Sequence, residues 1–440
     1  MGRMDELTLR MESLAHGGDA VAHAPDGRTV FVRYGCPGDL ARVRVLSEHP
    51  RWLSAAVAEV VEPSPVRVDP PCPYFGACGG CQWQHVSYPA QLAAKRQSIS
   101  DSLARIAAIE APVAETAASE AEYGYRNRIE LRVGEESGRT VVGYSALGEE
   151  RLVPVDLCLL PPERHRKAPR ALAGVLRYLA RDERVRASRV GFRAALHTGD
   201  VSVDVWTPPG PFPRRLAGNT IAQATGARSV DRVLVREGAE RRGIAGVEVL
   251  AGSGMWHESL GGIAFTVSPA SFFQVNTRVA ERMTALVLDA LQPSLKDRVL
   301  DLFAGVGTFT LPLASAGAEV VAVEGNGSAV RDLRRNLEEN GLDADVAPGE
   351  ASRALRDLGR FDLAVADPPR AGMRPETVSA LVAASPRRLV YVSCDPATLA
   401  RDARLLTDEG YSMREATPVD LFPQTYHTET VAVFDRSASS

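Results

Sequence analysis

From Val299 onward the chain repeats one pattern: a short apolar run, a turn carrying polar or glycine residues, then a stretch of helix length. The runs are Val299-Leu300-Asp301-Leu302-Phe303, Glu319 to Val323, the region of Ala344 to Ala347, Phe361 to Ala366, and Leu389 to Ser393. Helices are predicted between them, one over Ser328 to Asn340 with Ser328 as cap and Gly341 as stop, and one over Pro396 to Leu406. Strands alternating with helices at this spacing bury both faces of one sheet, so the pattern predicts an α/β, doubly wound parallel architecture. Such sheets carry their ligands at the carboxyl ends of the strands.

The residues at those ends are chemically loaded. The first run leads into Ala304-Gly305-Val306-Gly307, where Gly305 and Gly307 let a backbone approach a ligand at a helix start. The second ends in Glu324, placed to accept hydrogen bonds from ribose hydroxyls. Another ends in Asp367-Pro368-Pro369-Arg370, and the next in Cys394-Asp395-Pro396. Taken alone, Cys394 is either a small buried hydrophobe or a thiol delivered to a reaction.

A chain of 440 residues exceeds one ordinary core, and three regions are expected: 1–63, 64–265 and 266–440. From Glu6 to Val61, short alternating runs between turn residues predict a small β-barrel of oligonucleotide-binding type. After the prolines at 63, 65, 70 and 71 come Cys72, Cys78 and Cys81, crowded into ten residues. In a reducing compartment that spacing points to metal, with Cys158 the best candidate for a fourth ligand. Zinc and a four-iron cluster both accept four thiolates. The five-then-two spacing speaks against radical chemistry on S-adenosylmethionine.

The segment Gln91 to Ile109 is predicted as an amphipathic helix with Ile99, Leu103 and Ile106 on one face. Tyr123-Gly124-Tyr125-Arg126-Asn127-Arg128 puts aromatic rings beside guanidinium groups, which suits stacked bases and phosphates or a salt-bridge network equally. Between Arg151 and Gly262, strands and one helix, Ala171 to Arg181, are expected. Residues 161 to 240 hold fifteen Arg and Lys against eight Asp and Glu, compatible with a phosphate-binding face. The whole chain has a formal net charge of −4 and only three lysines, so it has no uniformly basic surface. No long uncharged apolar run suggests a membrane span, and the start lacks a signal-peptide pattern, so a cytoplasmic protein is expected, and a monomer is expected besides.

Six motifs, in order, resemble one family: Cys72-x5-Cys78-x2-Cys81, Phe272-Phe273-Gln274-Val275-Asn276, Asp301 to Gly307, Asp367-Pro368-Pro369-Arg370, Ser393-Cys394-Asp395-Pro396 and His427-Thr428-Glu429. The chain is similar to the S-adenosylmethionine-dependent RNA uridine C5 methyltransferases that carry an iron–sulfur cluster and often an N-terminal TRAM domain. The resemblance implies that the last third is a class I methyltransferase sheet. It agrees with the two strands Tyr411 to Pro418 and Thr430 to Phe434, which close such sheets and are joined by a long loop containing His427 and Glu429.

It further implies that Cys72, Cys78, Cys81 and Cys158 hold a [4Fe-4S] cluster, that Gln274, Phe303, Glu324 and Asp367 line the S-adenosylmethionine site, and that the helix over 91–109 packs on the catalytic domain. Cys394 and Glu429 would be nucleophile and base, with His427 as understudy to the base. The sequence departs from the family pattern at Thr308 and Glu350, which are therefore weaker cofactor ligands. RNA is the implied partner, and the N-terminal barrel favours 23S rRNA over tRNA. The competing readings are a non-catalytic RNA-binding protein, a cytosine C5 methyltransferase and a zinc-stabilised protein.

Overall fold

In the computed structural model, residues 6–236, 243–269 and 271–437 are described. The repeating pattern folds into one seven-stranded sheet built from β1 (Arg298–Leu302), β2 (Glu319–Glu324), β3 (Asp345–Pro348), β4 (Leu363–Ala366), β5 (Arg388–Ser393), β6 (Tyr411–Val419) and β7 (Glu429–Arg436). Their order is β3-β2-β1-β4-β5-β7-β6, parallel except for β7, which is antiparallel to both neighbours. The direction of winding reverses between β1 and β4, which opens a crevice at their carboxyl ends. Successive residues point to opposite faces. Leu300, Leu302 and Tyr391 accordingly fill one apolar layer, while Val299, Val390 and Val392 fill the other.

Helix starts follow local capping chemistry, with one correction. The helix after β2 begins at Gly327 and is capped by Asn326, whose side chain accepts from the N–H groups of Ser328 and Ala329. Ser328 is inside the first turn, its hydroxyl donating to Asn326. The helix Pro396–Asp408 has proline in its first turn, and its cap Asp395 accepts from Ala397 and Thr398. Glu429 is the first residue of β7 rather than part of the preceding loop.

Upstream, six strands between Glu6 and Glu62 form one curled sheet around Leu9, Val30, Val32, Val43 and Leu53. A second seven-stranded sheet spans Arg128 to Ala251. Two helices pack on it, Ala168–Leu179 and Arg214–Thr225, where one was expected. The second was hidden by its weakly apolar sequence and by Gly218. That glycine lets the helix meet the backbone of Leu250, whose oxygen would lie 2.4 Å from a Cβ there.

The predicted amphipathic helix runs over Tyr88–Ser102 and continues as a π-turn over Leu103–Ala107. Ile99, Leu103 and Ala107 pack into the C-terminal sheet's core with Leu399 and Leu406. Ile106 is 50% exposed, because the wider π-turn carries the fourth residue, not the third, back to the same face. The chain then lies along β6: Ala114 and Ala117 donate to the carbonyls of Ala416 and Pro418 at 2.9 and 2.8 Å, and Ala416 donates to Pro112 at 3.0 Å. No helix among the described residues is long and apolar enough to cross a membrane.

The docked helix gives a direct contrast. Leu103→Ala is expected to cost about 2–5 kcal/mol in urea unfolding, and Ile106→Ala no more than about 0.5 kcal/mol.

Candidate active site

Beyond β1 the chain turns sharply over the end of β2. The N–H groups of Phe303 and Ala304 both donate to Val323 O, at 2.9 and 3.0 Å, and Phe303 is held at φ 67°. A left-handed aromatic residue costs roughly 1–3 kcal/mol and persists only where its surroundings enforce it. Glu324 supplies part of that enforcement: its carboxylate accepts from Gly305 N at 2.8 Å and from Asn326 N at 2.6 Å. Each oxygen retains a lone pair for a ligand hydroxyl.

This turn borders a pocket of about 820 Å³ whose wall includes Gln274, Phe303, Gly305, Glu324, Asp367, Cys394 and Glu429. The structure thus brings together every expected cofactor and catalytic residue but Gly307. A Cβ on Gly307 would fall 2.2 Å from Leu311 Cδ1 and 2.7 Å from Leu333 Cδ1. It serves helix packing behind the turn, and the glycine-turn pattern alone does not separate those two uses.

Thr308 and Glu350, discounted in the sequence, both line the pocket. Glu350 caps the helix Ala351–Leu358 and is held down to about 2, first by the Ser352 hydroxyl and further by Arg374. An S/T/D/N cap preference gives no hint of a glutamate in that place.

Gln274 is positioned from the central sheet, since its carbonyl accepts from Asn127 Nδ2 at 2.8 Å. The Tyr123 to Arg128 segment is largely absorbed into such framework contacts. Tyr125 is buried and donates to Pro423 O at 3.1 Å, Asn127 is buried, and Arg128 lies over the Trp206 ring.

The carboxyl edge is acidic, and Asp301 and Glu429 are buried in it. Beneath it Asp301 accepts from Thr310 Oγ1 at 2.5 Å and is pushed up to about 7 by burial. Burial also raises Asp367 to about 7, with the Asp301 charge adding to it. Glu429 is raised well above the usual carboxylate range by burial and then by Asp367. The Cys394 thiol is pushed up to about 12 by burial, then by Glu429 and Asp367, with Arg370 opposing. At neutral pH the free pocket therefore keeps the proton on Cys394 and disfavours ionisation of Glu429, and a cation entering it would favour proton release from both. His427 lines no part of this pocket. Its ring packs against Tyr426 and Phe422, and burial lowers it to about 4, so it is a neutral packing group there.

Cys72, Cys78, Cys81 and Cys158 line a second cavity of about 230 Å³. Burial lifts Cys78 to about 11 and Cys81 to about 12. Gly80 N donates to Cys78 Sγ at 3.4 Å and Tyr144 Oη to Cys158 Sγ at 3.6 Å. Among the described residues, no three His, Cys, Asp or Glu side chains are gathered closely enough to hold one metal ion. Cys36 is buried elsewhere, in the cluster of Trp83 and Val86.

Two measurements check the electrostatics. Alkylation of Cys394 in the free protein, followed by peptide mass spectrometry, is expected to rise about tenfold per pH unit from 7 to 10. Asp367 has its folded value raised from 3.8 to about 7, so its stabilising protonated form is fully present below the unfolded value and lost as pH rises through 7. Asp367→Asn is accordingly expected to raise Tm more at pH 8 than at pH 4.

Comparison with known proteins agrees with this geometry. A family profile described as tRNA (uracil-5-)-methyltransferase matches residues 262–437. An RNA methyltransferase of Thermosynechococcus vestitus is 37% identical, over 98% of both chains. The 23S rRNA (uracil(1939)-C(5))-methyltransferase RlmD of Shewanella amazonensis is 33% identical, over 98% of this chain and 96% of its own. The crystal structure of Pyrococcus abyssi tRNA (uracil-54, C5)-methyltransferase in complex with S-adenosyl-L-homocysteine superposes with a TM-score of 0.76 and 27% identity, covering 97% of this chain and 99% of that one. Full-length similarity at this level, together with the pocket, makes the chain a member of the S-adenosylmethionine-dependent RNA uracil-C5 methyltransferase family.

Proposed function

We propose that the chain methylates C5 of a specific uridine in 23S rRNA, with Cys394 as nucleophile and Glu429 as base. The observation that carries the assignment is that both side chains border the same pocket as the Phe303–Gly305 turn and Glu324. Phe303, Gly305, Glu324, Gln274 and Asp367 would hold S-adenosylmethionine, which when bound supplies an electrophilic methyl group to the nucleophilic C5.

Uracil C5 is a weak nucleophile, and Cys394 corrects this. Its thiolate adds to C6, forming an S–C6 bond and pushing an electron pair into an enolate that makes C5 nucleophilic. After methylation, Glu429 removes the C5 proton, the C5–C6 double bond reforms and the S–C6 bond breaks. A base whose ordinary acidity is suppressed by burial holds that proton strongly once ionised. Asp367, whose charge acts on both, would orient donor and base. The target uracil must leave its stack to reach a thiol at a strand end.

Full-length similarity to the rRNA enzyme at 33% identity supports ribosomal RNA. The tRNA alternative has its own support in the family profile and in the P. abyssi structure. We assign residues 1–63 to a TRAM-like β-barrel, 64–265 to a central cluster and RNA-binding region and 266–440 to the methyltransferase unit, acting as a cytoplasmic monomer. Four cysteines around one cavity support a [4Fe-4S] cluster held by Cys72, Cys78, Cys81 and Cys158. A single zinc would need all four sulfurs about 2.3 Å from one point, whereas a four-iron cube spreads its ligands around a larger body.

Incubation with 5-fluorouridine RNA is expected to trap a covalent complex that Cys394→Ala abolishes; a complex that survives that substitution would overturn the nucleophile. Mass mapping of 5-methyluridine in a deletion strain is expected to show the loss in 23S rRNA, and a loss confined to tRNA would select the alternative. Anaerobically purified protein is expected to be brown, with iron and acid-labile sulfide in equal amounts; stoichiometric zinc instead would replace the cluster assignment.

A further inference from the structure

The loop from Asp420 to Thr428 delivers Glu429 to the pocket, yet much of what holds it comes from the other end of the chain. Lys95 Nζ contacts Asp420 Oδ1 at 2.5 Å and donates to Phe422 O at 3.1 Å. Tyr125 donates to Pro423 O. The contacts converge on Gln424, which is 1% exposed and sits at φ 70°.

Each of its polar groups has a partner from the first third of the chain. Gln424 N donates to Gln91 Oε1 at 3.0 Å, and Gln91 Nε2 returns a bond to Gln424 Oε1 at 3.0 Å. Gln424 Nε2 donates to Glu122 Oε2 at 3.2 Å. Its carbonyl accepts from both Gln82 N and Trp83 N at 3.0 Å, directly after Cys81.

A left-handed backbone favours glycine or asparagine, and a longer side chain is kept there only when its surroundings fix it. Here the surroundings are three separate segments, around residues 82, 91 and 122. The function so far derived uses none of these bonds, although Glu429 follows only five residues later.

We propose that Gln424 is a positioning residue for methyl transfer, clamped by Gln91, Glu122 and the Gln82–Trp83 backbone so that Glu429 meets the C5 proton. This rests on Glu429 being the base. Addition of Cys394 to C6 and methylation at C5 precede the clamp's contribution; proton removal from C5, with cleavage of the S–C6 bond, depends on it.

The two stages can be read separately. 5-Fluorouridine RNA reports adduct formation alone, because it offers no C5 proton to remove. Natural uridine RNA reports release. Gln424→Gly keeps the left-handed backbone while removing the side-chain clamp, and Gln91→Ala loosens it from the opposite side.

For both variants, turnover on uridine RNA is expected to fall on the order of 100-fold, the scale of an ångström's misplacement of a catalytic group. A covalent Cys394–RNA adduct should accumulate on that RNA, as with Glu429→Gln, while the rate of adduct formation on 5-fluorouridine RNA stays at the wild-type value. Unchanged turnover would overturn the proposal, and so would lost turnover with no accumulated adduct or with an equal loss on 5-fluorouridine RNA. If Glu429→Gln accumulates adduct and the Gln424 and Gln91 variants do not, only this inference falls. If Glu429→Gln accumulates none, the base assignment falls and takes the inference with it.

Discussion

A fully buried ammonium group governs how the two ends of this chain meet. Lys95 is 0% exposed, and removing an ammonium from water costs several kcal/mol unless an anion goes with it. Asp420, equally buried, is that anion. Burial lowers Lys95 and the carboxylate opposes the drop, so the pair holds together only with its helix and loop in register. The Trp83 ring lies 5.9 Å from the same nitrogen, which brings the cysteine-bearing segment into the arrangement. This contact ties the helix Tyr88–Ser102 to the start of the loop beyond β6, whose far end carries Glu429 into the pocket with Cys394.

The catalytic edge shows the opposite economy. Asp301, Asp367 and Glu429 are crowded together with little to neutralise them, and all three are pushed toward their protonated forms. Such a cluster opposes folding at neutral pH, and a purely structural sheet end would avoid it. On the proposed function its use would be chemical: it would suit a pocket that receives a positively charged donor and needs a strong base only after that donor has reacted. The strained Phe303 belongs to the same trade, because the turn it makes brings Gly305 N onto Glu324.

The parts readable from the sequence are those whose causes are local. Strand periodicity, proline at helix starts and polar residues at strand ends suffice for the catalytic sheet and place Cys394, Asp367 and Glu324. The less readable parts have distant causes. Gln424 meets Gln91 across 333 positions, and no window of sequence carries that pairing. Ile106 fails as a core residue because a π-turn changes the helical phase just before it, and Gly307 looks like a ligand-approach glycine although its neighbours are two leucines. The Tyr123 to Arg128 segment has the composition of a base-stacking surface, but Tyr125 and Asn127 spend their polar groups on Pro423 and Gln274. Thr308 and Glu350 reach the pocket through the turns after β1 and β3, where side-chain direction depends on backbone geometry that composition does not reveal.

The strip of chain from Pro112 to Ala117 beside β6 has one more implication. A sheet whose outermost strand shows bare N–H and C=O groups is a template for pairing with other chains, and proteins cover such margins. Here the cover is borrowed from residues just over 300 positions before their partners in the strand it protects. A fragment trimmed to the methyltransferase sheet alone would keep its chemistry-bearing residues but lose this guard, leaving a sticky flank open to self-association. The enzyme is thus hard to reduce to a smaller one, since the same upstream stretch that follows the docked helix also covers the sheet's outer strand.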